Sequence, residues 1–480
     1  MDTPLMDTPL MDTPLMDAGL MREAAMETAP VATDQVEVAV VGLGQTGLSV
    51  ARYLYEQGVA FVVADTRLSP PGLTELQALC PDVPLWLGPL NGAQLGQMQQ
   101  LIVSPGIAIA EPALQQAQQA GAEIIGDIEL FARAHSTLAT PLPVIAITGS
   151  NAKSTVTTLV AEMARQAGWQ VGVGGNIGTP ALSLLGAPYD LIVLELSSFQ
   201  LETTQSLHCQ VATILNLSED HLDRYDGMTG YIQAKQRIFL HAAQAVVPLD
   251  EPLTYPQAMA EAVPLTTFGR VPEADFGLAT VDGQRMLMQG DQPLCPVSAI
   301  TLPGGHGQLN ALAALALGHA VGLPMPAMLA TLADFNGLAH RCEQVAIHQG
   351  VTWFNDSKAT NVGATLAAIA GLAPEYSRLW VILGGEGKGQ DFTPLSDPLL
   401  KADAVVMLLG RDAPLIEQAL DKGIPLQSAA DLPAAVAALA EQAQPGDAVL
   451  LSPACASFDM FQGFAHRGEV FAQCVQQLSS

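Results

Sequence analysis

The stretch VIAITGSNAKST, Val144 to Thr155, decides the fold. Its apolar start, Val144–Thr148, reads as a strand. A short turn follows, and the next helix runs from Ser154. On that helix Val156, Leu159, Val160 and Met163 fall at i, i+3, i+4 and i+7, which gives one buried face, and Gly168 can stop it. A strand that feeds such a loop into a helix lets backbone N–H groups surround a phosphate at the helix N-terminus. Gly149, Ser150, Asn151 and Ala152 form the loop, Lys153 can reach β- and γ-phosphates, and a hydroxyl of Ser154 or Thr155 can ligate Mg2+. The strict G-x-x-x-x-G-K-[ST] pattern fails, because Ile147 and Ala152 stand at its glycine positions. Ordinary capping hydroxyls are the plainer alternative. A lysine at this junction still favours a nucleotide, since the only others are Lys235, Lys358, Lys388, Lys401 and Lys422.

Toward the N-terminus, Val36–Val41 reads as a strand, Leu48–Gln57 as a helix and Val59–Ala64 as a strand. Between the first two lies Gly42-Leu43-Gly44-Gln45-Thr46-Gly47, a G-x-G-x-x-G turn, with Asp65 18 positions after Gly47. The glycines permit a tight turn and the approach of a diphosphate, and the acid can bind a ribose. A nicotinamide-dependent dehydrogenase, a UDP-sugar site and a purely structural turn all satisfy this motif. Thr137–Pro143 reads as a linker. Before Val36 the sequence MDTPL recurs from Met1, Met6 and Met11; a proline in every five residues cannot bury a face, so residues 1–34 read as a disordered extension.

Toward the C-terminus, Leu191–Leu194 and Val211–Leu215 read as strands that deliver Glu195 and His221 at their carboxyl ends. A carboxylate placed there can hold Mg2+, whereas a lone histidine is by default a structural one, and Lys235 by default an exposed helix lysine. Pro248 to Pro303 reads as irregular or β-rich. A third α/β unit starts near His340, with strands at Trp380–Leu383, Ala404–Leu409 and Ala448–Leu451 and a helix at Ala434–Gln444.

The chain has 480 residues, enough for about three domains. With 19 Lys and Arg against 47 Asp and Glu, the formal net charge is −28. That balance argues against general nucleic-acid or anionic-membrane binding. The 49% hydrophobic content supports full cores. Six scattered cysteines without a C-x-x-C pair suit a reducing cytosol, and no apolar run is long enough to span a membrane.

The ordered segments GLGQTG at Gly42, DTR at Asp65, SPG at Ser104, TGSNAKST at Thr148, GGNIG at Gly174, LELSSFQLE at Leu194 and EDHLDRY at Glu219 resemble the Mur ligase family. NALAALAL at Asn310, HR at His340, NDSKATN at Asn355, GGEGKG at Gly384 and SPACASFD at Ser452 extend the resemblance from Val36 to the C-terminus. It implies an α/β chain of three domains. These are a Rossmann-like N-terminal domain (35–137), a central P-loop-type ATPase domain with mainly parallel sheet (138–338) and a Rossmann-like C-terminal domain (339–480). It implies ATP-dependent addition of D-glutamate to UDP-N-acetylmuramoyl-L-alanine by a cytoplasmic, monomeric enzyme. By this resemblance Lys153, Glu195, His221 and Lys235 are catalytic. Ser154, Glu195, His221 and Lys235 would hold two Mg2+ ions, with Lys235 carrying a carbamate. ATP would be bound by Gly149 through Thr155 with Asn310, Arg341 and Asp356. The UDP portion would be bound by Gln45, Thr46, Thr66, Arg67, Ser104, Gly106 and Asn176, which makes the first glycine motif a diphosphate site without a nicotinamide. D-glutamate would be bound by Lys358, Thr360, Lys388, Ser457 and Phe464. The D-N-P-R segment of diamino-acid-adding relatives is absent. Ala152 replaces a glycine, so the loop is expected to use an ordinary φ there. Gly307 stands where a second asparagine of the nucleotide site is expected.

Overall fold

The computed structural model describes residues 36–221, 224–257, 263–302, 304–335 and 337–478. The repeat extension expected at 1–34 lies outside the described residues. Among the described residues three large sheets organise the chain, beside a two-stranded pair of His208–Cys209 and His241–Ala242. The first has five parallel strands in the spatial order Leu85–Leu87, Phe61–Asp65, Val38–Val41, Gln100–Val103, Glu123–Ile125. Its inner strands are mostly apolar because both faces are covered, and Phe61–Asp65 is buried throughout.

The central sheet runs Gln292–Pro296, Gln284–Gln289, Phe276–Val281, Leu265–Phe268, Ala245–Pro248, Val211–Ile214, Val144–Thr148, Leu191–Glu195, Val171–Gly175. The span from Pro248 to Pro303, expected as irregular or β-rich, supplies its antiparallel edge. The third sheet runs Glu343–His348, Val351–Asn355, Ala448–Leu451, Leu379–Leu383, Val405–Leu408, Leu426–Ser428, and only its first pair is antiparallel.

Parallel strands place their following loops on one edge, and a crevice opens where the strand order reverses. In the first sheet Gly42 and Ser104 follow the two strands at that point. In the central sheet Val144–Thr148 lies between Val211–Ile214 and Leu191–Glu195. The loops after these three strands carry Gly149–Ala152, Asn216–His221 and Leu196–Ser197. In the third sheet Ala448–Leu451 lies between Val351–Asn355 and Leu379–Leu383, so Asp356–Lys358, Gly384–Lys388 and Ser452–Ser457 share one edge.

The predicted face of the Lys153–Gln166 helix is buried, with Val156, Leu159, Val160 and Met163 fully enclosed. Two helices begin earlier than their apolar spacing indicates, at Lys153 and at Gln45 instead of Leu48. Gly44 is extended, with φ −91° and ψ −163°, and its carbonyl accepts the Leu48 N–H at 2.9 Å. The added first turn is polar, so hydrophobic periodicity does not register it.

One apolar core joins the first and central units, with Val40, Leu43 and Phe131 packed with Ile192, Leu194 and Ile214. The third unit has cores of its own on the two faces of its sheet, around Val381 and Leu450 and around Trp353 and Phe471. Among the described residues, no helix is long and apolar enough to cross a membrane.

Candidate active site

The phosphate loop is built by hydrogen bonds to the neighbouring strand end. Ser150 N–H donates to the Asn216 carbonyl at 3.0 Å, and Asn151 N–H donates to Asn216 Oδ1 at 2.8 Å. Ser218 N–H donates to Ser150 Oγ at 2.9 Å. Ala152, at the helix N-cap, has φ 65° and ψ −5°, in the left-handed region. The expectation of an ordinary φ is therefore corrected: the loop needs the left-handed turn to aim the Lys153 helix, and alanine adopts it at a cost of about 1 kcal/mol. Gly307 has a packing reason, since a Cβ there would lie 2.7 Å from the Leu302 carbonyl oxygen. Asn310, one turn on, is half-buried on the Gly304–Ala320 helix.

Behind the loop lies a buried cluster of unlike charges. Lys153 Nζ donates to the Gly149 and Ser150 carbonyls at 2.8 and 3.1 Å. Lys235 is only 1% exposed, and its Nζ donates to the Gly149 carbonyl at 2.9 Å and to Thr148 Oγ1 at 3.2 Å. This replaces the default of an exposed helix lysine. Burial, then the neighbouring Lys153 charge, pushes the Lys235 ammonium well below the usual lysine range. Burial also lowers Lys153, against the pull of Glu195 and Asp220. Glu195 is buried; its Oε1 accepts from Asn176 Nδ2 at 2.8 Å, and its Oε2 has no hydrogen-bond partner. An orphaned carboxylate oxygen beside a phosphate loop suits a hard cation. Among the described residues no three His, Cys, Asp or Glu side chains converge on one point. An ion held by this Glu195 oxygen would take most of its other ligands from phosphate oxygens and water. His221 sits at φ 55°, 3.6 Å from Asp220 through Nε2, with its ring edge-on to Phe199 at 4.7 Å.

The third unit faces this cluster. Arg341 Nη2 donates to Ser154 Oγ at 2.6 Å. Asn361, which the sequence reading did not single out, bonds Asn151 and donates to Asp220 Oδ2 at 3.3 Å. Lys388 Nζ lies 3.6 Å from Asp220 Oδ1. Burial works to raise Asp220, but His221, Lys388, Asn361 and Lys153 together hold it below the usual carboxylate range. Lys358 Nζ sits 3.8 Å above the Phe464 ring, and burial followed by Arg341 and Lys153 lowers it to about 8. Asp356 is raised to about 7 by burial, although Ser452 Oγ donates to it at 2.8 Å. Ser457 is buried, and Thr360 is half-buried two residues from Lys358. Arg467, a second residue without a sequence signal, is 1% exposed and ties Ser357 to the Cys455 and Ala456 carbonyls.

In the first unit Asp65 has a different job from ribose binding. Its Oδ2 accepts Leu43 N–H at 2.7 Å, and both oxygens accept from Arg67 at 2.7 to 2.9 Å. The acid thus braces the glycine turn and leaves Thr66 and the half-exposed Arg67 at the crevice. Gln45 and Thr46 lie in the first turn of their helix, and Ser104 Oγ donates to the Gly42 carbonyl at 2.9 Å, two residues before Gly106. Asn176, grouped from the sequence with this unit's residues, reaches Glu195.

Models of Mur ligase domains match the chain over three stretches: the MurD-like N-terminal domain at 36–126, the middle domain at 147–318, and the glutamate ligase domain at 340–455. UDP-N-acetylmuramoylalanine--D-glutamate ligase of Pseudomonas syringae pv. tomato is 54% identical over 443 residues, which is 92% of this chain and 98% of that protein. The protein of the same name from Marinobacter nauticus is 51% identical over 441 residues, with the same coverage. Among solved structures, MurF ligase from Thermotoga maritima in complex with ADP superposes with a TM-score of 0.59 at 17% identity, covering 92% of this chain and 96% of that one. UDP-N-acetylmuramate-alanine ligase MurC from the same organism gives 0.57 at 19% identity, covering 92% and 99%. With three matching domains in order and 54% identity over 443 residues to a relative covered over 98% of its length, this chain belongs to the Mur ligase family.

Proposed function

We propose that the chain joins D-glutamate to UDP-N-acetylmuramoyl-L-alanine at the expense of ATP, forming an amide during peptidoglycan precursor synthesis. The observation that carries this reading is the half-buried Lys153 with the buried Lys235 and Glu195 behind the phosphate loop, faced by Arg341, Lys358 and Lys388 from the third unit.

A carboxylate does not accept an amine at neutral pH, because oxide is a poor leaving group. Transfer of the γ-phosphoryl group of ATP to the L-alanyl carboxylate gives an acyl phosphate. The deprotonated amine of D-glutamate adds to its carbon, and the tetrahedral intermediate expels phosphate. Phosphoryl transfer needs mainly positioning and charge neutralisation. Residues Gly149 to Thr155 hold the phosphates and Lys153 draws charge from them, while Asn310, Arg341 and Asp356 orient the nucleoside. Two Mg2+ ions on Ser154, Glu195, His221 and Lys235 would neutralise phosphate charge. For this Lys235 must be anionic: its uncharged amine adds CO2 and releases a proton, giving a carbamate, and the depressed lysine favours that step. Lys358, Lys388, Thr360, Ser457 and Phe464 receive D-glutamate, with the cations pairing its carboxylates. Gln45, Thr46, Thr66, Arg67, Ser104, Gly106 and Asn176 hold the UDP-muramoyl portion.

Residues 35–137 thus serve the nucleotide sugar, 138–338 ATP and metal, and 339–480 the amino acid, with the third unit excluding water from the acyl phosphate. The test is phosphate release from ATP. With UDP-N-acetylmuramoyl-L-alanine, sustained release should require D-glutamate. Equal release with another amino acid, or with a folate acceptor, would move the chain to another branch of the family.

A further inference from the structure

Arg224 spans the first and central units with one guanidinium. Nη1 donates to the Pro105 carbonyl at 2.7 Å and Nη2 to the Ile107 carbonyl at 3.3 Å, on either side of Gly106. Nη2 also donates to Glu202 Oε2 at 3.0 Å, and Cζ lies 3.9 Å over the Phe199 ring. The same Phe199 meets the His221 ring edge at 4.7 Å, and Arg224 N–H donates to the His221 carbonyl at 2.9 Å. The side chain is 12% exposed. Its Nη donors are taken by carbonyls and a carboxylate, so this cation is a splint between two loops.

Holding the two units together does not depend on it. They share one apolar core, and Glu129 of the first unit accepts from Gln205 N–H, Ser206 N–H and Ser206 Oγ of the second. What Arg224 adds is register between the loop around Gly106 and the turn of His221.

We propose that Arg224 is a positioning residue that sets the distance between the nucleotide-sugar loop and the His221 turn, and so brings the acyl end of the bound substrate into line with ATP. This rests on the function proposed above. A planar, bidentate, ring-stacked guanidinium does this, whereas an ammonium reproduces only part of it.

The experiment compares Arg224→Ala and Arg224→Lys with the wild type. Misplacement of about 1 Å can lower turnover about a hundredfold. The alanine variant should therefore lose about 30- to 100-fold in kcat, while the Kd for UDP and for ATP, measured calorimetrically, stays within about threefold. Lysine, able to reach one carbonyl, should recover part of that loss. If Arg224→Ala does not fold, Arg224→Lys alone should show a lowered kcat with both affinities kept. Unchanged kcat in the folded variants, or loss of UDP and ATP binding together with the melting transition in Arg224→Lys, would overturn the proposal. A wild type that releases no phosphate with the UDP substrate would overturn the underlying reading as well, whereas a loss confined to the kcat of the variants bears on Arg224 alone.

Discussion

Burial and the Arg341 and Lys153 charges bring the Lys358 ammonium down to about 8. Below that pH it is a cation that can pair a carboxylate; above it the pairing is lost. In its proposed role, kcat/KM for D-glutamate should fall by about tenfold per pH unit above 8, and Lys358→Arg should carry that limb beyond pH 10. A limb unmoved in the arginine variant would remove Lys358 from the acceptor site. The linkage sign for stability is opposite. Between about 8 and the ordinary lysine value the unfolded chain binds the extra proton, so the Lys358 contribution to stability rises with pH across that window. Ala152 gives a second prediction at this scale. Its left-handed φ of 65° favours glycine and disfavours branched side chains. Ala152→Val should be less stable than Ala152→Gly by about 1 kcal/mol or more, read as a lower denaturant midpoint. The sequence revealed the substitution at this position. The backbone conformation showed what it costs.

At the scale of elements, the glycines of Gly42-Leu43-Gly44-Gln45-Thr46-Gly47 divide by job. A Cβ on Gly47 would lie 1.8 Å from the Gly42 carbonyl oxygen, whereas one on Gly44 would meet nothing within 4 Å. Gly47→Ala should destabilise the first unit by about 2 kcal/mol or more through overpacking, seen as a lower urea midpoint. Gly44→Ala should leave the midpoint in place and raise KM for the UDP substrate, since only an approaching ligand would meet the new methyl group. The reverse pattern would exchange the two roles. Strands and helices were legible here because burial has a period. Val144–Thr148 and Ala448–Leu451 occur with the bounds read from the sequence, and the central helix buries the predicted face. Asp65 was legible as the acid that follows a glycine turn. Its use as a brace was not, because hydrogen-bond partners 22 positions away carry no local pattern.

At the scale of the whole molecule, the third unit approaches the phosphate loop without an intervening side chain at Gly363. A Cβ there would lie 2.7 Å from Ser218 Oγ and 3.4 Å from Asn151 Nδ2. Gly363→Val should hold the third unit off the loop and lower kcat by about tenfold or more, with KM for the UDP substrate unchanged. An equal effect on both would place the fault in the first two units. Polar contacts such as Arg341 to Ser154 and Asn361 to Asn151 join the third unit to the loop, whereas the first two units share a core. That asymmetry suits relative motion of the third unit.

The sequence by itself determined three α/β units, the phosphate loop, the motif residues and the family resemblance, because each rests on short spacings and local chemistry. Tertiary structure decided which residues meet. It buried Lys235 beside Lys153, turned Asn176 onto Glu195, laid Arg224 across two units and closed Arg341 on Ser154 over 187 positions. Hydrophobic periodicity fixes which face of an element is buried. It does not say which distant segment lies opposite, and that is settled only when the loops of parallel strands are gathered on one edge of each sheet.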